Sequence, residues 1–168
     1  RTTPDHPAIL FEGSRITYAE LEARARRVAS ALAACGIAPG DRVALFLPNV
    51  PEFAIAYYGA QMAGAVPVSI NAIFKAAEVQ YLVEDSGARL LFTSGQLGIA
   101  LDDSVPEDAG AQAELCFAAC GEILAAAGMS FADVVRVNAF VTDRAFMKPY
   151  MEVRDRLLGA APPASTLV

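Results

Sequence analysis

Tryptophan is absent from this chain of 168 residues, histidine occurs once and cysteine three times. An odd number of cysteines, at Cys35, Cys116 and Cys120, is not a disulfide framework. Cys116 and Cys120 lie one helical turn apart and are read as small core residues. A tetrahedral metal site would need further ligands, and the sole histidine, His6, sits far away in an expected surface loop, so no metal site is expected. Positive charge is also scarce: 13 Lys and Arg stand against 19 Asp and Glu, for a net charge of −6. That balance repels the phosphates of nucleic acid and gives no pull toward anionic lipid. No charge run forms a tail or a basic arm. The longest apolar stretch, residues 53–68, is broken by Gly59, Gln61, Gly64 and Pro67, too soon to span a bilayer. The segment Arg1-Thr-Thr-Pro4 has neither a starter Met nor the apolar run of a signal peptide, and reads as a cut end of a cytosolic protein.

What is present is apolar. Hydrophobic residues make up 55% of the chain, ample for one domain or two small ones. In so short a chain this also implies surfaces that other parts or partner subunits cover.

Residues 8–11 and 14–16 read as two short strands about a turn at Glu12-Gly13. Thr17-Tyr-Ala-Glu20 is a capping box opening a helix to about Cys35, with Leu21, Ala25, Val28, Ala29 and Leu32 as its apolar stripe and Gly36 as its stop. Residues 42–47 form a nearly continuous apolar run, the pattern of a parallel strand buried on both faces. Pro51 suits the first turn of a helix running to about Ala63. A strand over 64–69, a helix over 74–86 ended by Gly87, and a strand over 89–93 follow. This alternation is a doubly wound α/β signature, which puts ligands at the carboxyl ends of the strands. No GxGxxG or GxxxxGK[ST] loop occurs in this half. Asn49, Asn71 and Lys75 stand near strand ends, where turn and surface roles are favoured.

Beyond Ser94 the rhythm changes. A polar loop over 102–108 leads to an Ala-rich helix over 109–127 that stops at Gly128. A strand is expected over 133–142, then a helix over about 145–158, capped by Asp143 and strained or started by Pro149, and a strand after Pro163 that ends the chain on Leu167-Val168 as though truncated.

Residues 3–93 resemble the N-terminal region of the adenylate-forming, AMP-binding acyl-CoA synthetases. The resemblance rests on Thr17-Tyr-Ala-Glu-Leu21, Gly36-Ile-Ala-Pro-Gly-Asp-Arg-Val43, Leu47-Pro-Asn49 with Glu52-Phe53, Gly64-Ala-Val-Pro67 and Glu84-Asp-Ser-Gly-Ala88, in that order. It implies a parent that activates a carboxylate with ATP and Mg²⁺ and passes it to CoA. The family's phosphate loop, later acidic and aromatic motifs and lid lysine have no counterpart here, so no catalytic residue is carried over and no cofactor is expected.

Residues 90–168 resemble the Rid family, also called YjgF or L-PSP endoribonuclease. The carrying segments are Leu91-Phe-Thr-Ser-Gly-Gln-Leu-Gly98, Val105-Pro-Glu-Asp108 with Gln112, Ile123-Leu-Ala-Ala-Ala-Gly128, residues 133–143 and Pro163-Ala-Ser-Thr166. This resemblance implies an α+β, chorismate-mutase-like fragment, association as a trimer, and enamine or imine hydrolysis in clefts between subunits. The arginine that grips the substrate carboxylate in that family falls at Ala164, and its helix asparagine at about Met151. Gly95, whose main-chain amide would lie in the substrate cleft, is the one counterpart, and a turn role is favoured for it.

The fold expected is therefore a three-layer doubly wound fragment with a mainly parallel sheet, joined to a Rid-like α+β fragment through a strand at 90–94 used by both. Three functions are weighed: a ligase remnant, a Rid-like hydrolase or binding subunit, and a catalytically silent fusion, which is the reading favoured. The shared strand predicts one continuous sheet.

Overall fold

The computed structural model describes residues 3–100 and 102–168. Arg1 and Thr2, part of the segment read as a cut end, lie outside the described residues. The chain divides into two compact units, residues 1–94 and 95–168.

The first unit opens with a hairpin of β1 (Pro7–Phe11) and β2 (Ser14–Thr17). Glu12 and Gly13 both take positive φ, 46° and 78°, the requirement of a two-residue turn whose twist matches its strands. Helix α1 (Tyr18–Ala34) starts at the expected capping box: Glu20 N–H donates to Thr17 Oγ1 at 3.2 Å, and Thr17 N–H donates to Glu20 Oε2 at 2.8 Å. The Thr17 N–H and, next, the Thr17 hydroxyl, both donating to Glu20 Oε2, hold the Glu20 carboxyl below the usual carboxylate range. Leu21, Ala25 and Leu32 are buried.

Strand β3 (Arg42–Phe46) is the centre of the sheet, in the order β4-β3-β5, with β4 spanning Val66–Ile70 and β5 Ala88–Thr93; both neighbours run parallel to it. Val43, Ala44, Leu45 and Phe46 are all buried, as a strand covered on both faces requires. Helix α2 (Pro51–Met62) joins β3 to β4, and α3 (Ala76–Ser86) joins β4 back across to β5. Right-handed crossovers in opposite directions place these helices on opposite faces, giving the three layers. One face packs Leu32, Val43, Leu45, Ala56 and Ala60 together. Arg42 closes the far end: its Nε donates to Ser86 O at 2.7 Å and its Nη2 to Gly87 O at 3.3 Å, at the carboxyl end of α3.

Helices α1 and α2 approach closely at Gly59. A Cβ there would lie 2.6 Å from both Val28 Cβ and Val28 Cγ1, and 3.0 Å from Ala25 O. Alanine is the better helix former by up to about 1 kcal/mol, yet overpacking of about 1–3 kcal/mol opposes that gain. Gly59→Ala is expected to lower stability on balance, read as a fall in urea midpoint. An equally stable variant would mean that the two helices are not in such close contact.

The second unit begins with the irregular segment after β5 and the helix α4 (Ala109–Ala126), capped by Asp108, whose Oδ2 accepts from Ala111 N–H at 2.7 Å. Strand β6 (Arg136–Ala139), helix α5 (Met147–Leu158) and strand β7 (Ala164–Leu167) form a parallel βαβ unit, with Arg136 opposite Ala164 and Asn138 opposite Thr166. Pro149 falls in the first turn of α5, where its missing N–H costs nothing. The core of this unit gathers Ala113, Phe117, Tyr150, Val153 and Leu158, with Phe131, Val137, Met151 and Leu167 against it.

Two expectations are corrected. The strand over 133–142 shortens to four residues, because Ser130 and Asp133 cap one another and draw Phe131–Asp133 into a 3₁₀ turn. The continuous sheet is not formed: among the described residues β5 hydrogen-bonds to β3 alone, and β6 with β7 makes a separate two-stranded ribbon. Residues 90–94 thus complete the first sheet without opening a second. Their edge carries the ladder one step further, as Ser94 N–H donates to Phe46 O at 2.8 Å.

Candidate functional site

In the first unit the carboxyl ends of β3, β4 and β5 lead into Asn49, Asn71 and Ser94. Asn71 is committed to its own turn: its Oδ1 accepts from Ile73 N–H at 3.2 Å, and its carbonyl accepts from Phe74 N–H at 3.0 Å. Lys75 heads α3, its N–H donating to Glu78 Oε2 at 2.8 Å. Asn49 is exposed in a bend ahead of α2. The turn and surface roles expected for these residues are the ones they fill. At the amino edge, Asp41 Oδ2 accepts from Ala38 N–H at 2.8 Å and from Arg89 Nη1 at 2.6 Å. The first of these bonds, with help from the Arg89 guanidinium, holds the Asp41 carboxyl below its ordinary value. An open groove of about 320 Å³ runs along α3 between Phe74, Ala77, Glu78, Tyr81 and Leu82.

In the second unit an open depression of about 380 Å³ lies at the carboxyl ends of β6 and β7, lined by Val141, Thr142, Asp143, Arg144, Met147, Leu167 and Val168. Asp143 is occupied as a cap, its Oδ1 accepting from Ala145 N–H at 2.8 Å. On the ribbon, Arg136 sits across from Ala164; its Nη2 donates to Thr166 Oγ1 at 3.1 Å and its Nε to Asn138 Oδ1 at 3.2 Å. Arg154 on α5 is paired with Asp155 and reaches Ser165 Oγ at 3.5 Å. Met151 packs against the apolar core, so the position aligned with an asparagine serves packing.

Gly95 is exposed, has nothing within 4 Å of an added Cβ, and is not among the glycines with positive φ. It lies in an irregular segment that is neither helix, strand nor turn. Cys116 and Cys120 are half-buried and Cys35 is exposed. Burial pushes the Cys116 and Cys120 thiols up from their ordinary value, and the Cys116 charge adds to the shift at Cys120. His6 is exposed, its Nδ1 3.2 Å from Pro7 O. Sequence reasoning missed Tyr150: burial pushes its phenol up, and its oxygen is buried with no hydrogen-bond partner. Its neighbours Val153 and Leu157 mark the apolar face of α5, which was the available signal.

Among the described residues, no helix is long and apolar enough to cross a membrane, and no group of three or more His, Cys, Asp or Glu side chains is arranged to hold a metal ion.

Comparison with known proteins gives consistent neighbours. The chain is 49% identical over 77 residues to the long-chain-fatty-acid–CoA ligase FadD13 of Mycobacterium tuberculosis (strain ATCC 25618 / H37Rv), covering 46% of this chain and 15% of that enzyme. It is 39% identical over 92 residues to the 3-hydroxybenzoate–CoA ligase of Aromatoleum sp. (strain CIB), covering 55% of this chain and 18% of that one. Among solved structures, a benzoate CoA ligase from Burkholderia xenovorans LB400 superposes with a TM-score of 0.56 at 27% identity, over 96% of this chain and 26% of that one. The chain therefore spans under a fifth of the length of these two curated relatives. The family model described as AMP-binding enzyme matches residues 1–151, running past Ser94 into the second unit. With that match over most of its length, the chain belongs to the AMP-binding enzyme family.

Proposed function

We propose that residues 1–93 are scaffold of an ATP-dependent acid–CoA ligase, that residues 90–168 are a Rid-like segment fused to it through the strand at 90–94, and that the chain as it stands is catalytically silent. The observation that carries this reading is what the strand-end polar groups do. Asn71 Oδ1 closes its own turn and the Lys75 main chain heads α3, so the polar groups at these strand ends serve local structure.

The parent ligase would use ATP, Mg²⁺ and CoA. Mg²⁺ takes oxygen ligands that usually include one or two carboxylates. The strand ends here present Asn49, Asn71 and Ser94 instead, so these residues do not fit the ion and none is assigned to it. A cytosolic setting without nucleic-acid partners accompanies the proposal, supported for nucleic acid by the net charge of −6. Membrane partners are likewise not proposed.

A second reading, a Rid-like imine hydrolase or binding subunit working as a trimer, is favoured by Phe140, which follows β6 and is 81% exposed and available to a partner subunit. Against its catalytic form stand Ala164 and the packed Met151. Restoring an arginine by Ala164→Arg would set a second cation directly across from Arg136, where like charges repel.

Two assays test the proposal. ATP–pyrophosphate exchange with a panel of acyl and aryl acids is expected to stay at background. Ammonia release from a freshly generated imine is expected to do the same, for the parent chain and for Ala164→Arg alike. Exchange above background would overturn the silent reading in favour of the ligase; imine hydrolysis, or its rescue by Ala164→Arg, would overturn it in favour of the second reading.

A further inference from the structure

The second unit contains two thiols and one hydroxyl that neither reading uses. Cys116 and Cys120 stand four residues apart on α4, a spacing that brings Cβ atoms to about 5–6 Å on one helix face. Both residues are half-buried. Phe117, between them, turns into the core and stacks on Tyr150, ring centroids 6.0 Å apart. Tyr150 is 8% exposed, and its phenolic oxygen is a buried donor with no acceptor. Both thiols act electrostatically on that phenol, as do Arg154 and Asp155 from its own helix. Phe117 thus links the helix that carries both thiols to the unanswered Tyr150 donor.

We propose that Cys116 and Cys120 together bind one soft, thiophilic cation of the cuprous class as a two-coordinate bis-thiolate, with the Tyr150 hydroxyl donating to one of the bound sulfurs. The step balances without any change of oxidation state: one Cu⁺ and two thiols give an anionic S–Cu–S unit and release two protons. Two metal–sulfur bonds of about 2.3 Å each span at most about 4.6 Å, within reach of Cβ atoms at this helical spacing. Thiolate selects cuprous ion over harder cations. Two-coordination needs no third ligand, so the absence of a larger His, Cys, Asp and Glu cluster among the described residues does not oppose it. The thiol of Cys116 now donates to Gln96 O at 3.4 Å, a weak bond that metal binding would replace. The thiolate, unlike the thiol, is a strong acceptor, and it would answer the Tyr150 donor.

The test uses the full chain carrying Cys35→Ser, which removes the exposed thiol, and cuprous ion delivered anaerobically against a competing chromophoric chelator. One ion per chain is expected. Cys116→Ala and Cys120→Ala should each weaken binding on the order of 100-fold, because a single thiolate leaves the ion half-coordinated. Affinity should rise with pH below the thiol titrations, by up to about 100-fold per pH unit, since two protons leave. Tyr150→Phe should weaken binding several-fold with the far-ultraviolet circular dichroism unchanged. Affinity equal to the parent in either alanine variant, or affinity indifferent to pH, overturns the proposal. Should the alanine variants fail to fold, copper X-ray absorption on the Cys35→Ser chain decides: two sulfur neighbours are expected, and a nitrogen and oxygen shell overturns it.

Discussion

Leu45→Ala is expected to lower the stability of the first unit by about 2–5 kcal/mol. Leu45 is 0% exposed in the middle strand of the sheet. It is in register with Ser69 on one side and Phe92 on the other, so parallel ladders fix its backbone from both edges. Its side chain packs in a cluster with Leu32 of α1 and with Ala56 and Ala60 of α2. A strand held by two ladders cannot collapse into the space that a lost isobutyl group leaves, and the alanines opposite are too short to fill it. The cost should therefore fall in the upper part of that range. Leu45→Met, which keeps the volume, should cost less than about 1.5 kcal/mol. Urea unfolding followed by far-ultraviolet circular dichroism and by hydrogen exchange in β3 measures both. An unchanged midpoint for Leu45→Ala would remove β3 from the centre of the core.

The first unit could be read from the sequence because its signals are local and agree with one another. Glu12-Gly13 fits a two-residue turn, Thr17 and Glu20 cap each other, and the run from Val43 to Phe46 has no polar residue to expose. Boundaries slipped where glycine or a cap acts at a distance from the apolar pattern. Gly64 takes φ 76° beside Pro39 and delays β4 to Val66, and Lys75 with Glu78 starts α3 at Ala76 where the apolar pattern suggested Phe74. In the second unit, Val134, Val137, Ala139 and Val141 promised a longer strand than forms. A strand lasts only as long as its partner, and β7 offers four residues. The same limit explains why residues 90–94 serve one sheet: strand propensity does not say which partner will be present, and hydrogen bonding to β3 answers that question. The candidate site was readable mainly as a set of substitutions. Ala164 and Met151 could be named from the sequence, but that Met151 packs in the core and that Arg136 lies across from Ala164 are facts of register and packing. The lone hydroxyl of Tyr150 was not readable at all, since a tyrosine on an apolar helix face usually has an acceptor, and only coordinates reveal that this one does not.

Phe117→Ala should be the most damaging single truncation in the second unit, at about 3–5 kcal/mol for loss of a buried phenyl ring. Phe117 is 6% exposed, stacks on Tyr150 at 6.0 Å and meets Phe131 edge-on at 6.1 Å. It thereby joins α4 to α5 and to the turn ahead of β6. The ion pair between Arg156 and Glu114 also links the two helices, but both side chains are largely exposed and such pairs contribute at most about 1 kcal/mol. The loss should nevertheless lie toward the lower end of the range, because the space vacated adjoins the Tyr150 ring, and water entering it can accept from the unpartnered hydroxyl. A double-mutant cycle isolates that effect. Tyr150→Phe alone should be neutral or stabilising, since it removes a buried donor that makes no bond. Phe117→Ala should then cost more in the Tyr150→Phe background than in the parent, by about 1 kcal/mol, the size of a typical hydrogen bond to the entering water. Chemical denaturation of the four chains supplies the cycle. Equal costs in the two backgrounds would mean that the vacated space stays dry, and Phe117→Ala should then reach the full value for an empty aromatic cavity.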